Sequence, residues 1–157
     1  KLRASQMTAK KSANDQIIRG WREWVEFPEF DIDNVKAKID SGAKTSALHA
    51  YHVEPFVKDD SPWVRFKLHP IQDNNEISVT LEAKLSDHRN VSDSGGHNEL
   101  RYVIEAVMII GDQERRGEVT LTDRDSMKYR MLVGRNILKQ GFLVDAKQSF
   151  ACGKSET

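Results

Sequence analysis

The sequence predicts an all-β fold, a barrel or a sandwich, that contains one short helix. Apolar and polar residues alternate along several short segments, which is the pattern of half-buried strands. These segments recur about every ten residues, a spacing typical of β-barrels and β-sandwiches. The chain has 157 residues, which is enough for one domain with its own hydrophobic core.

Five of the predicted strands lie in the first half of the chain. The first alternates large apolar and charged residues until Pro28, which cannot donate to a strand ladder and ends the segment. The fourth shows the same alternation and ends at Pro70. The five strands are predicted at residues 21–27, 35–39, 46–50, 63–69 and 77–83.

The second half of the chain continues the pattern and adds the helix. Residues 87–99 are rich in asparagine, aspartate and glycine, which predicts a loop or a hairpin tip. Residues 134–140 are predicted to form one or two helical turns that Gly141 closes. The remaining strands are predicted at residues 102–110, 117–122, 131–133 and 142–145.

The composition favours a single domain with polar ends. We expect a flexible N-terminal arm at residues 1–19, a barrel domain at 20–150 and a tail at 151–157. Lys+Arg and Asp+Glu each number 24, so the balance of charge gives no reason to expect a nucleic-acid partner. No apolar run approaches the ~20 residues that a membrane-spanning helix needs. The single cysteine excludes an internal disulfide and is compatible with a cytoplasmic or an exported protein.

The candidate site begins where the second predicted strand ends. Strand 35–39 delivers a carboxylate at Asp40, followed by a hydroxyl at Ser41 and a glycine at Gly42 that permits a sharp turn. An aspartate in this position can lie at the floor of a cleft, although an ordinary turn after a strand has the same composition. About ninety residues later, Leu132-Val133-Gly134 precedes the predicted helix.

This pair of motifs resembles the retroviral and pepsin-like aspartic proteases, in which a glycine-rich hairpin, the flap, lies between the two. Residues 90–101 occupy the flap's place in the sequence. Residues 20–25 and 37–50 further resemble a bacterial and archaeal family that is labelled an ATP-dependent zinc protease and is often encoded near ATP-grasp glutamate ligases. Its members are predicted to be retropepsin-like, so the resemblance implies a closed retropepsin-like (acid protease) barrel. Ser41 replaces the usual threonine but keeps the hydroxyl. Further matching segments are 94–101, 121–124, 132–135 and 142–145.

The resemblance implies an aspartic endopeptidase with Asp40, Ser41 and Gly42 as its catalytic loop. Such enzymes use two facing carboxylates that share one proton, because two like charges so close cannot both ionise. Only Asp40 combines this tripeptide with an apolar strand, so we expect a homodimer that pairs two copies of it. Asp93, in a second Asp-Ser-Gly within the predicted flap, is the alternative intrachain partner.

The predicted substrate-binding residues surround the catalytic loop or lie in the matching segments. The expected substrate is a peptide or protein, and the arginines favour an acidic one, such as a poly-glutamate tail, because guanidinium groups bind carboxylates in a bidentate manner. Solvated strand ends and ion pairs are the alternative explanation of the arginines. The predicted residues are Ala43, Lys44, Thr45, Arg101, Arg124 and Arg135, with Arg130 as a further candidate.

Two other functions stay open at this point. One is a non-catalytic module that binds acidic peptides or a partner ligase, and the other is the zinc-dependent peptidase of the family label. The sequence lacks an H-E-x-x-H motif, and an offset of three places His49 and His52 on opposite faces of a strand. It also lacks the glycine-rich nucleotide-binding motifs. We therefore expect no metal and no cofactor.

Overall fold

The computed structural model describes residues 17–69, 76–92, 95–123 and 128–151. In this part of the chain strands predominate, and the single α-helix is one turn long. The strands are β1 (Ile17–Gly20), β2 (Arg22–Phe27), β3 (Ile32–Ile39), β4 (Ser46–His49), β5 (Tyr51–Lys58), β6 (Ser61–Leu68), β7 (Val79–Ser92), β8 (Asn98–Ile110), β9 (Gln113–Thr122), β10 (Met131–Val133) and β11 (Phe142–Asp145). The helix is α1 (Arg135–Leu138), and Pro28–Phe30 form a short 3-10 turn.

Six of these strands form a closed ring. Their order is β2, β3, β10, β4, β9 and β8, and β8 pairs with β2 again through Val25–Ile110 and Glu26–Ile109. This closure confirms the predicted all-β fold with one short helix and identifies it as a barrel, not a sandwich. Strands β7, β6 and β5 continue the sheet outward from β8.

The barrel interior is filled by the apolar positions of the alternating strands. Along β3, Val35, Ala37 and Ile39 are buried, while the residues between them face outward. On β8, alternate positions from Ile104 to Ile110 are buried in the same way. Each fully buried aliphatic or aromatic side chain stabilises the fold by about 1.5–3 kcal/mol relative to its exposed state.

Two parts of the outer sheet differ from the sequence-based prediction. Residues 87–99, predicted to be a loop or a hairpin tip, are largely strand, because β7 runs to Ser92 and β8 begins at Asn98. Strand β5 was not predicted, since Pro55 and several charged residues interrupt its alternation. Both segments project from the barrel with most of their side chains exposed, so the apolar face that marks a strand in the sequence is weak there.

A second, small sheet joins the two ends of the described chain. Strand β1 pairs in parallel with β11, in a register that places Ile17 beside Phe142. Of the predicted N-terminal arm, only 17–19 lie within the described residues, and they belong to this strand. The other arm residues and the tail from Cys152 onward lie outside them. In the described part, no helix is long and apolar enough to cross a membrane.

Candidate functional site

Asp40 lies at the end of β3, in a tight loop held to the neighbouring strand. Its amide donates a hydrogen bond to the carbonyl of Val133 (2.8 Å), which extends the parallel pairing of β3 with β10 by one residue. The amide of Ala43 donates to the carbonyl of Asp40 (3.1 Å), which closes the turn. The carboxylate Oδ1 of Asp40 accepts a hydrogen bond from the amide of Gly42 (2.9 Å). The side chain is partly exposed, so it can meet a ligand.

Gly134 allows the second motif to pass directly against this loop. A Cβ at Gly134 would lie 2.7 Å from the carbonyl carbon of Thr45 and 2.9 Å from the carbonyl oxygen of Ala43, too close for any other residue without backbone movement. The next two amides use that proximity. Arg135 donates to the carbonyl of Ala43 (2.8 Å), and Asn136 donates to the carbonyl of Lys44 (3.1 Å).

A partly buried network of side-chain hydrogen bonds joins the two motifs. The side-chain oxygen of Asn136 accepts hydrogen bonds from the amide (3.1 Å) and the hydroxyl (3.0 Å) of Ser46. The Ser46 hydroxyl in turn accepts from the amide of Gly134 (2.9 Å). The Asn136 amide group donates to the carbonyl of Glu118 on β9 (2.8 Å). Three barrel strands are thereby fixed around the Asp40 loop.

Sequence reasoning missed Ser46 and Asn136. The sequence pattern predicts a strand at Ser46 and a helix at Asn136, and it gives neither residue a polar role. A usable signal was present, because each is a short polar residue next to one of the two motifs, where backbone groups need hydrogen-bond partners.

The structure places the predicted substrate-binding residues in two groups. Ala43, Lys44 and Thr45 belong to the Asp40 loop, and the Lys44 side chain is exposed. Arg135 also contacts the loop, because its Nη1 donates to the carbonyl of Ser41 (3.0 Å). That bond supports the loop and occupies part of the guanidinium that was predicted to bind substrate.

Arg101 lies farther along the barrel wall, on β8. Its side chain is only 7% exposed, and its Nε donates to Glu99 (2.9 Å). Its Nη1 donates to the hydroxyl of Thr120 (3.1 Å), which itself donates to the carbonyl of Ser46 (3.2 Å). Arg101 is thus linked to the loop only through other residues. Arg124 lies outside the described residues.

The predicted flap corresponds to the hairpin of β7 and β8. Residues from Leu85 to Ser92 pair with residues from Asn98 to Ile104. Gly96 lies at the tip with φ +84°, a conformation that favours glycine. Lower in the hairpin, Arg89 donates to Glu118 (2.6 Å), and this hydrogen bond raises the pKa of the Arg89 guanidinium. Asp93 lies outside the described residues.

The histidines of the central region surround a tyrosine. The rings of His49, His52 and His69 lie 6.3, 5.0 and 4.8 Å from the ring of Tyr51, measured between centroids. Among the residues that the structure describes, no group of three or more histidine, cysteine or carboxylate side chains is arranged to hold a metal ion.

Comparisons with known proteins give the family. Residues 18–155 match the family described as retropepsin-like aspartic endopeptidase RimB. Proteins named "Probable alpha-L-glutamate ligase" are 44% identical in Shewanella pealeana, over 90% of this chain, and 38% identical in Parasynechococcus marenigrum, over 88%. The chain spans 31% and 30% of the length of these two relatives. The crystal structure of a protein with unknown function from Legionella pneumophila superposes with a TM-score of 0.71 at 25% identity, covering 87% of this chain and 98% of that one. The chain belongs to the RimB-like family of retropepsin-like proteins.

Proposed function

We propose that this protein is an aspartic endopeptidase whose catalytic dyad consists of Asp40 from each of two identical chains. The observation that carries the proposal is the Asp40 loop itself. Its carboxylate stands at the end of a barrel strand, partly exposed and oriented by the Gly42 amide. Backbone bonds to Val133 and Arg135 make the loop rigid, and rigid placement is what a catalytic group requires.

The chemistry follows from two carboxylates in different protonation states. The ionised one accepts a proton from a water molecule as the water oxygen bonds to the carbon of the scissile peptide group. The protonated one gives its proton to the carbonyl oxygen, which forms a tetrahedral intermediate. The carboxyl group that took the proton from water then gives it to the amide nitrogen, and the other carboxylate takes a proton from a hydroxyl of the intermediate. The carbon–nitrogen bond breaks, and a carboxylic acid and an amine leave.

One chain supplies one such carboxylate within the described residues, which is why the proposal requires a twofold dimer. The small β1–β11 sheet is the surface that we assign to the contact. Ile18 and Leu143 are neighbours in its register and are 49% and 50% exposed. A two-stranded parallel sheet is seldom stable without cover, because parallel sheets are ordinarily buried on both faces. A second copy of the same sheet would provide this cover.

The test uses the full chain and a mixture of unstructured peptides, with the products identified by mass spectrometry. We expect cleavage by the wild-type protein and none by Asp40→Asn, since asparagine keeps the shape but cannot transfer the proton. Asn136→Ala serves as a contrast that keeps Asp40 but loosens the loop. Cleavage by Asp40→Asn at the wild-type rate would remove Asp40 from the mechanism. Activity lost to a chelator and restored by zinc would instead support a metal-dependent peptidase.

A second candidate function is a peptide-binding module that serves a glutamate ligase. Its support is that the relatives named as ligases contain a segment like this chain within a protein about three times as long. This candidate predicts that Asp40→Asn keeps all biological activity, because binding does not need proton transfer. The peptidase proposal predicts the opposite.

A further inference from the structure

We propose that the outer surface of β2 and β3 is a binding site for an acidic peptide segment. The site, which we call the cationic face, consists of Arg22, Lys36, Lys38 and Lys128. It is separate from the arginines that the sequence indicated. Binding at this face does not depend on whether Asp40 is catalytic.

The pairing of β2 with β3 brings three of these cations together. Arg22 is the direct cross-strand neighbour of Lys38, and Trp24 is the neighbour of Lys36. The intervening residues of β3 are buried in the barrel, so Lys36 and Lys38 both point outward. Lys128 joins the group through Tyr129, whose ring lies 5.8 Å from the Lys128 ammonium and 5.9 Å from that of Lys36.

The described residues provide no carboxylate partner for this group. Arg22 donates to two neutral hydroxyls, those of Ser149 (3.2 Å) and Tyr129 (3.3 Å). Ion pairs elsewhere on the described surface hold other cations, among them Arg65 and Arg116, but none of these four. Like charges directly opposite each other on paired strands destabilise a sheet. Among the described residues nothing compensates the Arg22–Lys38 pair, which is therefore better explained by an anionic ligand than by stability.

Charge complementarity predicts that the ligand of the cationic face is an anion. The surroundings of the aromatic rings indicate which kind of anion it is. Nucleic acids bind such surfaces by stacking bases on exposed ring faces. Here the guanidinium of Arg22 lies 4.6 Å from the Trp21 ring centre, and Lys36 lies 5.8 Å from that of Trp24. Trp24 is also stacked on Phe150 at 5.4 Å. Because these ring faces are already occupied, a ligand would contact the cationic groups and not the rings. This favours carboxylate side chains over nucleic-acid bases as the ligand.

The cationic face leads toward the Asp40 loop. Lys36, Lys38 and Asp40 follow at intervals of two along the same strand and its extension, and alternate residues share a side. The acidic Glu26 lies on the outward face of β2 at the opposite end from Arg22, where it would not repel an acidic segment near Lys38. That a bound segment is also presented for cleavage rests on the proposed function.

The experiment measures binding to the full-length Asp40→Asn protein, so that cleavage cannot interfere. The probe is a fluorescein-labelled oligo-glutamate peptide, followed by anisotropy at low and at physiological salt. We expect Lys36→Glu with Lys38→Glu to weaken binding about tenfold at low salt, as two surface charges are reversed. The control, Lys84→Glu with Lys139→Glu, makes the same change of net charge elsewhere and should leave affinity within about twofold. Equal losses in the two pairs would overturn the assignment to this face.

Milder variants and a second probe keep the result interpretable. Lys38→Gln should weaken peptide binding and yet raise the unfolding midpoint slightly, because it relieves repulsion with Arg22. A merely structural lysine would lower that midpoint. An oligo-thymidine strand of equal charge should bind more weakly than the peptide. Tighter binding of the DNA, weakened by the same substitutions, would replace the acidic peptide with nucleic acid. Absence of peptide binding at low salt would refute the proposal while leaving the Asp40 mechanism untouched.

Discussion

Replacing Gly134 by alanine should damage the candidate site, because the added methyl group has no space there. The new Cβ would meet the carbonyl carbon and oxygen of Thr45 at 2.7 and 2.8 Å and the carbonyl oxygen of Ala43 at 2.9 Å. These are backbone atoms, so the loop itself must move. Overpacking of this kind costs about 1–3 kcal/mol. Loss of the Arg135–Ala43 hydrogen bond adds about 1 kcal/mol.

We therefore expect Gly134→Ala to lower the free energy of unfolding by about 2–4 kcal/mol. A loop displacement near 1 Å would reduce any peptidase activity by about a hundredfold. Denaturant titration and peptide cleavage measure the two effects on the same sample. Gly117→Ala is the matched control, because its Cβ would meet side-chain atoms and no backbone, the terminal methyl of Ile137 at 2.5 Å and the amide nitrogen of Asn136 at 3.3 Å, and side chains can shift while the backbone stays in place. The reasoning is refuted if Gly134→Ala is as stable and as active as Gly117→Ala.

Three further predictions concern other parts of the molecule. Asn136→Ala should cost about 2–4 kcal/mol of unfolding free energy, because it removes the acceptor shared by the amide and the hydroxyl of the fully buried Ser46, and denaturant titration would show whether the loss is that large. Ile18→Asp should shift light scattering toward the monomer and abolish activity, whereas Val57→Asp, on an exposed strand of the outer sheet, should change neither. The pKa of Asp145 is lowered, chiefly by a hydrogen bond from the side chain of Gln148. The stabilisation from this carboxylate is therefore present above the ordinary aspartate pKa and is lost as pH falls through the lowered one. Asp145→Asn should be less stable than wild type at neutral pH and lose that difference in acid, and identical pH–stability curves would exclude the effect.

The sequence predicted the barrel strands well where one face of the strand is buried and the other is exposed to solvent. β2, β3, β6 and β8 have that character, and their alternation is visible in the residues. The prediction failed for β5 and for the outer half of β7. A sheet that projects from the barrel can expose polar residues on both faces, and its sequence then shows no alternation of apolar and polar residues. The closure of the barrel could not be derived from the alternation of apolar and polar residues, because β-sandwiches show the same pattern.

For the candidate site, the sequence indicates two motifs but not the contacts that join them. Asp40 and Gly134 were recognised from their motifs, yet the contact between their loops depends on β10 lying between β3 and β4. For Arg101 the sequence leaves both a substrate carboxylate and an ordinary ion pair open, and the structure places its guanidinium beside Glu99. A guanidinium is equally suited to either partner, so only position distinguishes them. The cationic face escaped notice because a net charge of zero conceals local groups.

Mixing wild-type protein with Asp40→Asn tests the central claim most directly. At a constant total concentration, with subunits allowed to exchange, peptidase activity is measured as the wild-type fraction is varied. If each active site needs one Asp40 from each of two chains, only wild-type pairs cleave, and activity falls with the square of the wild-type fraction. A linear fall would contradict the shared dyad, because it would mean that each chain carries a complete site of its own.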